Sequence, residues 1–148
     1  MFEGLLALFR NPGGYETELP EADARHAMGA LLVRAAKVDN EYQVAEIQRI
    51  DKVLARQHGL DPVEAAKMRA ACEKLEREIP NTVEIAAILN NAVSMEKKEA
   101  TLRALWSVAY ADGIMHKEED RLLHQIEAAL DIPDDRAKAI QAEAEAAQ

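Results

Sequence analysis

The chain has 148 residues, of which 49% are hydrophobic, so it is long enough to fold as one domain with its own core. Its formal net charge of −9 argues against nucleic acid as a partner, because phosphate backbones are bound by clustered Lys and Arg, and no basic helical face stands out. The single cysteine, Cys72, excludes an intramolecular disulfide. These features favour a cytoplasmic protein whose partners are cations or basic proteins.

Residues 1–19 are predicted to form an amphipathic segment and a linker outside the main domain. The apolar residues within 2–10 recur on one helical face, and the Pro/Gly stretch at 11–14 then breaks the chain. Docking on the domain's own surface is the favoured interpretation. Anchoring to a membrane or a partner is the alternative, although a segment with one Arg binds lipid weakly. Glu3 and the lack of a small-residue cleavage site argue against a signal peptide.

Residues 20–148 predict an all-α domain of about seven helices. Apolar residues recur at intervals of three and four, and no alternating strand pattern of useful length occurs. Gly59 suits the end of the second helix, and Asp61-Pro62 suits the start of the third. The chain beyond about Glu143 is predicted to fray. Other helix boundaries are predicted at Pro20, Pro80-Asn81-Thr82, Ser94, Lys117 and Asp131-Ile132-Pro133.

Two acidic corners, at Asp39-Asn40 and Asp112-Gly113, indicate an internal repeat. With Asp39 placed over Asp112, Glu46 falls on Glu119. In each copy the Asp precedes a residue suited to positive φ, and the Glu lies in the first turn of the next helix, where a carboxylate favours the positive end of the helix dipole. Each half therefore predicts a helix, a tight acidic corner and two further helices. The copies span about residues 20–79 and 93–147.

The Ala111-Asp112-Gly113 corner, its weaker copy at Val38-Asp39-Asn40 and the opening Met1–Phe9 resemble the TerB (tellurite resistance protein B) family, in its uncharacterised bacterial branch. The resemblance implies a bundle of two related helical halves in a cytoplasmic bacterial protein associated with tellurite and other stress resistance. It also implies a metal-binding role for the acidic clusters, with calcium or magnesium as the expected ion. By position, these candidate ligands are Asp39, Glu41 and Glu46 in the first half, and Asp112, Glu118, Glu119 and Asp120 in the second. The first corner departs from the family pattern, with Asn40 where Gly is usual.

The corner residues have two interpretations, helix capping and cation binding. Hard cations need several converging oxygen ligands, and the spacing here is not that of an EF-hand. Capping is the favoured interpretation, with His116 at the N-cap and Glu119 at the third helical position, as in a capping box. His116, Asp120 and His124 also have residue types that suit zinc. The first and last lie about 12 Å apart along a helix, however, so a solvated surface is favoured for this series.

Little in the sequence points to an enzyme. Cys72 lies on an apolar helical stripe, Ser94 and Ser107 do not lie in a nucleophile elbow, and no Gly-rich phosphate loop occurs. The leading hypothesis is a non-enzymatic binding or adaptor module of a bacterial stress response, whose acidic corners bind a divalent cation or a basic, unidentified protein partner. The alternatives are an interaction domain without metal and a metal-dependent enzyme. Tyr42, Tyr110 and Trp106 are expected to pack the two halves together.

Overall fold

A computed structural model describes residues 21–38, 42–79, 81–113 and 115–148, apart from the side chains of residues 21 and 22. These residues form seven α-helices and contain no strand, which confirms the all-α prediction. The predicted segment at residues 1–19 lies outside the described residues. The helices are α1 (Glu21–Lys37), α2 (Val44–His58), α3 (Pro62–Glu78), α4 (Thr82–Ala92), α5 (Met95–Ala109), α6 (Lys117–Ala129) and α7 (Asp134–Ala146).

Local signals in the sequence set several helix ends. Gly59 takes φ +63° and ends α2. Asp61 caps α3 in a complete capping box: its side chain accepts from the Glu64 N–H at 2.8 Å, and Glu64 accepts from the Asp61 N–H at 3.1 Å. Asn81 caps α4 and Ser94 caps α5 through their side chains. Ser94 therefore separates two helices rather than bending one.

The helices pack as two similar halves joined by α4. In each half the first helix packs mainly against the third, α1 on α3 and α5 on α7. The two first helices, α1 and α5, also pack on each other, and the second helix of each half contacts the first helix of the other, α2 on α5 and α6 on α1. This reciprocal packing agrees with the two related halves expected from the acidic corners. Along the chain, each corner follows the first helix of its half.

The core is aliphatic around one large ring, the fully buried Trp106. Helices α1 and α3 are in close contact where Gly29 lies directly against Cys72. A β-carbon at Gly29 would collide with Cys72 Sγ, so this contact requires a residue without a side chain. The other large, fully buried side chains are Leu31, Ile50, Leu54, Leu75, Ile85, Leu89, Leu102, Leu105, Leu123 and Ile126.

One expectation from the sequence differs from the structure. The chain does not fray at Glu143, because α7 continues to Ala146 and buries Ala144. Tyr42 and Tyr110 both pack against the core, and their hydroxyl groups add hydrogen bonds that were not predicted. Tyr42 donates to Glu73 on α3 at 2.7 Å, and Tyr110 accepts from Gln141 on α7 at 3.2 Å, so each is tied to the third helix of its own half.

None of the described helices is long and apolar enough to cross a membrane.

Candidate functional site at the acidic corners

The second corner is a tight turn between α5 and α6. The Tyr110 N–H closes the last turn of α5 on the carbonyl of Trp106 at 3.0 Å, and the Gly113 N–H donates to the Tyr110 carbonyl at 2.9 Å. Gly113 takes φ +80°, a conformation that side chains disfavour. Helix α6 then begins with His116 as its N-cap residue. The Asp-Gly pair thus reverses the chain within a few residues, as predicted.

Asp112 and His116 form the central polar contact of this corner. Asp112 Oδ2 lies 3.0 Å from His116 Nε2, and the two side chains are only 9% and 22% exposed. The His116 side chain makes no capping hydrogen bond, so the predicted capping box with Glu119 does not form at this helix start. The imidazole points back to the aspartate because the turn at Gly113 brings residues 112 and 116 together.

The three acids that open α6 point in different directions. Glu119 is fully buried, Glu118 is exposed, and Asp120 is half-exposed, with its Oδ1 3.5 Å from His124 Nε2. Consecutive helical residues are rotated by about 100°, so adjacent carboxylates cannot converge on one point. The corner therefore combines one buried acid with the Asp112–His116 pair.

At the first corner, Asp39 and Glu41 lie outside the described residues. Glu46 is 1% exposed, and its Oε1 accepts from the backbone N–H of the N-cap residue Gln43 at 3.4 Å. The capping role that the sequence suggested for the second corner is thus found at the first. Both corner glutamates, Glu46 and Glu119, are buried at the start of the second helix of their half.

Across residues 21–38, 42–79, 81–113 and 115–148, no group of three or more His, Cys, Asp or Glu side chains is arranged to hold a metal ion. Cation binding by the corner acids stays a prediction. The two histidines whose residue type suits zinc contact different acids. His116 faces Asp112, while His124 faces Asp120 and Glu127.

A ring cluster behind the second corner was not foreseen. Trp106 stacks on Tyr110 at a centroid distance of 6.0 Å, and His124 meets Trp106 edge-on at 5.4 Å. His124 Nδ1 lies 2.8 Å from Glu127 Oε1. The hydrogen bond with Glu127, helped by the charge of Asp120, raises the pKa of His124. The sequence signal was the spacing of residues 120, 124 and 127 along α6, which places the two acids one turn on either side of the histidine.

A second network that sequence reasoning missed joins α1, α3 and α4. Glu76 accepts from Arg34 Nε at 2.7 Å and from Lys37 Nζ at 2.9 Å. Arg34 also donates to the carbonyls of Glu76 and Ile79, both at 2.8 Å, and to Thr82 Oγ1 at 3.1 Å. Burial alone would raise the pKa of Glu76, but the hydrogen bonds from Lys37 and Arg34 outweigh it and lower that pKa.

The candidate nucleophiles are buried or already bonded. Burial raises the pKa of the Cys72 thiol to about 12, so this cysteine is a protonated core residue at neutral pH. Ser107 Oγ accepts from Arg49 at 2.9 Å, and Ser94 caps α5.

Residues 25–142 match the family model described as tellurite resistance protein TerB. The chain belongs to the TerB family. The matched region runs from the first turns of α1 to the middle of α7 and includes both acidic corners. Neither a curated protein nor a solved structure matches the chain. Membership relates this TerB domain to tellurite resistance.

Proposed function

We propose that this TerB domain is a non-enzymatic binding module of a tellurite-related stress response, and that its second corner binds a divalent cation. The observation that carries the proposal is the low exposure of two carboxylates that flank the second corner, with Asp112 9% exposed and Glu119, in the first turn of α6, fully buried. Burying carboxylates costs free energy, which favours additional positive charge nearby even where protein groups already contact them. A small cation held by Asp112, Glu119 and backbone carbonyls of the turn would add such charge.

The Asp112–His116 contact gives the module a way to respond to the ion. A cation at Asp112 competes with His116 for the same carboxylate, since the histidine already lies 3.0 Å from Oδ2. Binding would therefore release His116 at the start of α6 and change the surface that the corner presents to a protein partner.

The non-enzymatic part of the proposal is supported by the state of the candidate nucleophiles. Cys72 is buried with a raised pKa, and the hydroxyls of Ser94 and Ser107 are engaged in structural hydrogen bonds. The acids of α6 point away from one another, whereas a metal-dependent hydrolase needs convergent ligands and an open position for water.

Calorimetric titration of EDTA-treated protein with calcium, magnesium, manganese and zinc tests the proposal. A site with two carboxylates should bind with a dissociation constant on the order of 10⁻⁴ M. Ion at 100 times that constant should raise the free energy of unfolding by about 2.7 kcal/mol. Asp112→Asn and Glu119→Gln should each weaken binding at least tenfold. Glu118→Gln is the matched control, because its exposed carboxylate lies one residue away, and it should change binding less than twofold.

The same experiment separates the proposal from its alternatives. If none of the four ions produces heat of binding and the unfolding temperature does not change, cation binding is refuted. The alternative of an interaction domain without metal is then favoured. Unfolding of Asp112→Asn in the absence of any ion would assign the acid a structural role. Circular dichroism of each variant, measured before titration, distinguishes lost binding from lost folding.

A further inference from the structure

A surface groove away from both corners runs between α2, α5 and α7. Its volume is about 540 Å³, within the range of ligand-binding clefts. Ala100, Ala104 and Ala144 are among the small side chains that line it, and Ala104 and Ala144 are buried. A smaller groove of about 200 Å³ shares Gln57 and Ala100 with it and continues toward α1. From Lys97 to Ser107 on α5 the joined channel is about 15 Å long, at 1.5 Å per helical residue.

The charge of this channel is opposite to that of the chain. Arg49, Lys52 and Arg56 lie on one face of α2 at i, i+3 and i+7, and Arg103 contributes from α5. Glu143 is the one acidic side chain among the described residues that line the larger groove. Arg25 and Lys97 add two cations along the smaller one. The expectation that no basic helical face occurs is therefore wrong, because the overall charge of −9 hides a local basic channel.

Several of these cations are available to a ligand. Within the part of the chain that the structure describes, the exposed Lys52 and Arg56 make no hydrogen bond or ion pair. Arg103 pairs with Glu143 at 3.1 Å, but both side chains are about half exposed, at 45% and 55%. Exposed ion pairs contribute little, so an incoming carboxylate can replace Glu143. Arg34 and Arg69, which lie outside the channel, are not available in this way, because carboxylates hold each of them in a partly buried network.

The shape of the channel indicates the kind of anion. Its cations are spread along two walls rather than converging on one point, as a single bound phosphate would require. Arg56 also complements the C-terminal dipole of α2, but that role explains neither Lys52 nor Arg103. An extended row of cations above a floor of alanines suits a chain that carries several carboxylates and small apolar side chains.

We propose that the channel between α2, α5 and α7 docks an acidic, amphipathic peptide segment of a partner protein. The carboxylates of the peptide pair with Lys52, Arg56 and Arg103, and its apolar residues lie on Ala100 and Ala104. This surface is separate from the second corner, so the inference does not depend on cation binding there.

The test is fluorescence polarisation of a fluorescein-labelled 16-residue peptide made of four Glu-Ala-Leu-Glu repeats, titrated with the full chain. We expect saturable binding that weakens at least tenfold in the double variant Lys52→Glu, Arg56→Glu. The matched control is Lys67→Glu, Lys74→Glu, which makes the same charge change on exposed residues of α3 and should alter binding less than twofold. Raising sodium chloride from 0.05 to 0.5 M should also weaken binding, through screening.

Three results would overturn the proposal. The first is no saturable binding by the unmodified chain. The second is equal loss of binding in the two double variants, which would show attraction by overall charge alone. The third is binding of ATP or of a 16-nucleotide single strand that depends on Lys52 and Arg56 while the peptide does not bind, which would assign the channel to phosphates. Circular dichroism of both double variants checks that each is folded.

Discussion

At the scale of single residues, burial determines what each charged side chain does. Glu46, Glu76 and Glu119 are all at most 7% exposed, in a chain that carries 27 acidic residues. Hydrogen bonds identify the role of two of them: Glu46 accepts from the start of α2, and Glu76 accepts from Arg34 and Lys37. Glu119 occupies the position that the repeat pairs with Glu46. Its corner also contains the Asp112–His116 pair, and we place the binding function there for that reason.

Glu76→Gln should lower the free energy of unfolding at pH 7 by about 2 kcal/mol, because it leaves Arg34 and Lys37 without their carboxylate. The folded-state pKa of Glu76 is lowered, so its contribution is fully present above the unfolded pKa of about 4.3 and is lost as the pH falls through the folded value. The difference between wild type and variant in urea unfolding should therefore shrink between pH 7 and pH 3. Exposed Glu78→Gln is the control, and a difference that is independent of pH would contradict the assignment.

Trp106, the only tryptophan, should report the protonation of His124, which meets its ring edge-on. Protonated imidazole quenches excited indole, so fluorescence should rise with pH. Because the pKa of His124 is raised, its midpoint should lie above about 6.5. Any stability that the charged His124 gives is present below its unfolded pKa and lost as the pH rises through the folded value. Glu127→Gln should move the midpoint to lower pH, and His124→Gln should abolish the transition. A transition that survives in His124→Gln would assign it to another group.

At the scale of helices, α1 approaches α3 closely at Gly29 and Cys72. Gly29→Ala should lower the free energy of unfolding by about 2 kcal/mol, because the new methyl group meets Cys72 Sγ. Cys72→Ala should relieve part of that loss, giving a coupling of about 1 kcal/mol in a double-mutant cycle measured by urea unfolding. Gly59→Ala is the control, since open space surrounds its β-carbon position; it should cost about 1 kcal/mol through its positive φ, with no coupling to Cys72. Additive effects of Gly29→Ala and Cys72→Ala would contradict direct contact.

The helices could be predicted from the sequence because their signals are local. Each signal lies within one turn of the helix end that it determines. Examples are Gly59, Asp61-Pro62 and Ser94. Contacts between distant segments carry no such signal. Nothing near Arg34 indicates that it will meet Glu76, and nothing near Arg49 indicates that its helix face will line a groove with α5 and α7.

The candidate site was predictable only in part, for the same reason. The Asp-Gly pair correctly located the corner, because Gly113 requires positive φ. The direction of each acid depends on how α6 packs, so the sequence could not separate the buried Glu119 from the exposed Glu118 beside it. His116 does occupy the predicted N-cap position, but its side chain pairs with Asp112 instead of capping, and that pairing depends on the path of the turn.

At the scale of the molecule, the two halves share the packing of their first helix on their third but differ elsewhere: α2 packs on α3 in the first half, whereas α6 of the second half packs on α4. Reciprocal packing of α2 on α5 and of α6 on α1 connects the two halves. An ion bound at the second corner would therefore act at the junction of α5 and α6, both of which contact the first half. The basic channel is lined by residues of α2, α5 and α7 and by none of the second corner, so the two proposed sites carry opposite charge.

The most direct measurement is an amide chemical-shift titration of ¹⁵N-labelled protein with calcium and with magnesium. We predict saturable shifts concentrated between Tyr110 and Asp120, with Gly113 as a well-resolved reporter. The capping box of Asp61 and Glu64 is the internal control, because its exposed carboxylates should attract ions without forming a site. Equal shifts at both places, or none at the second corner, would contradict cation binding by this TerB domain.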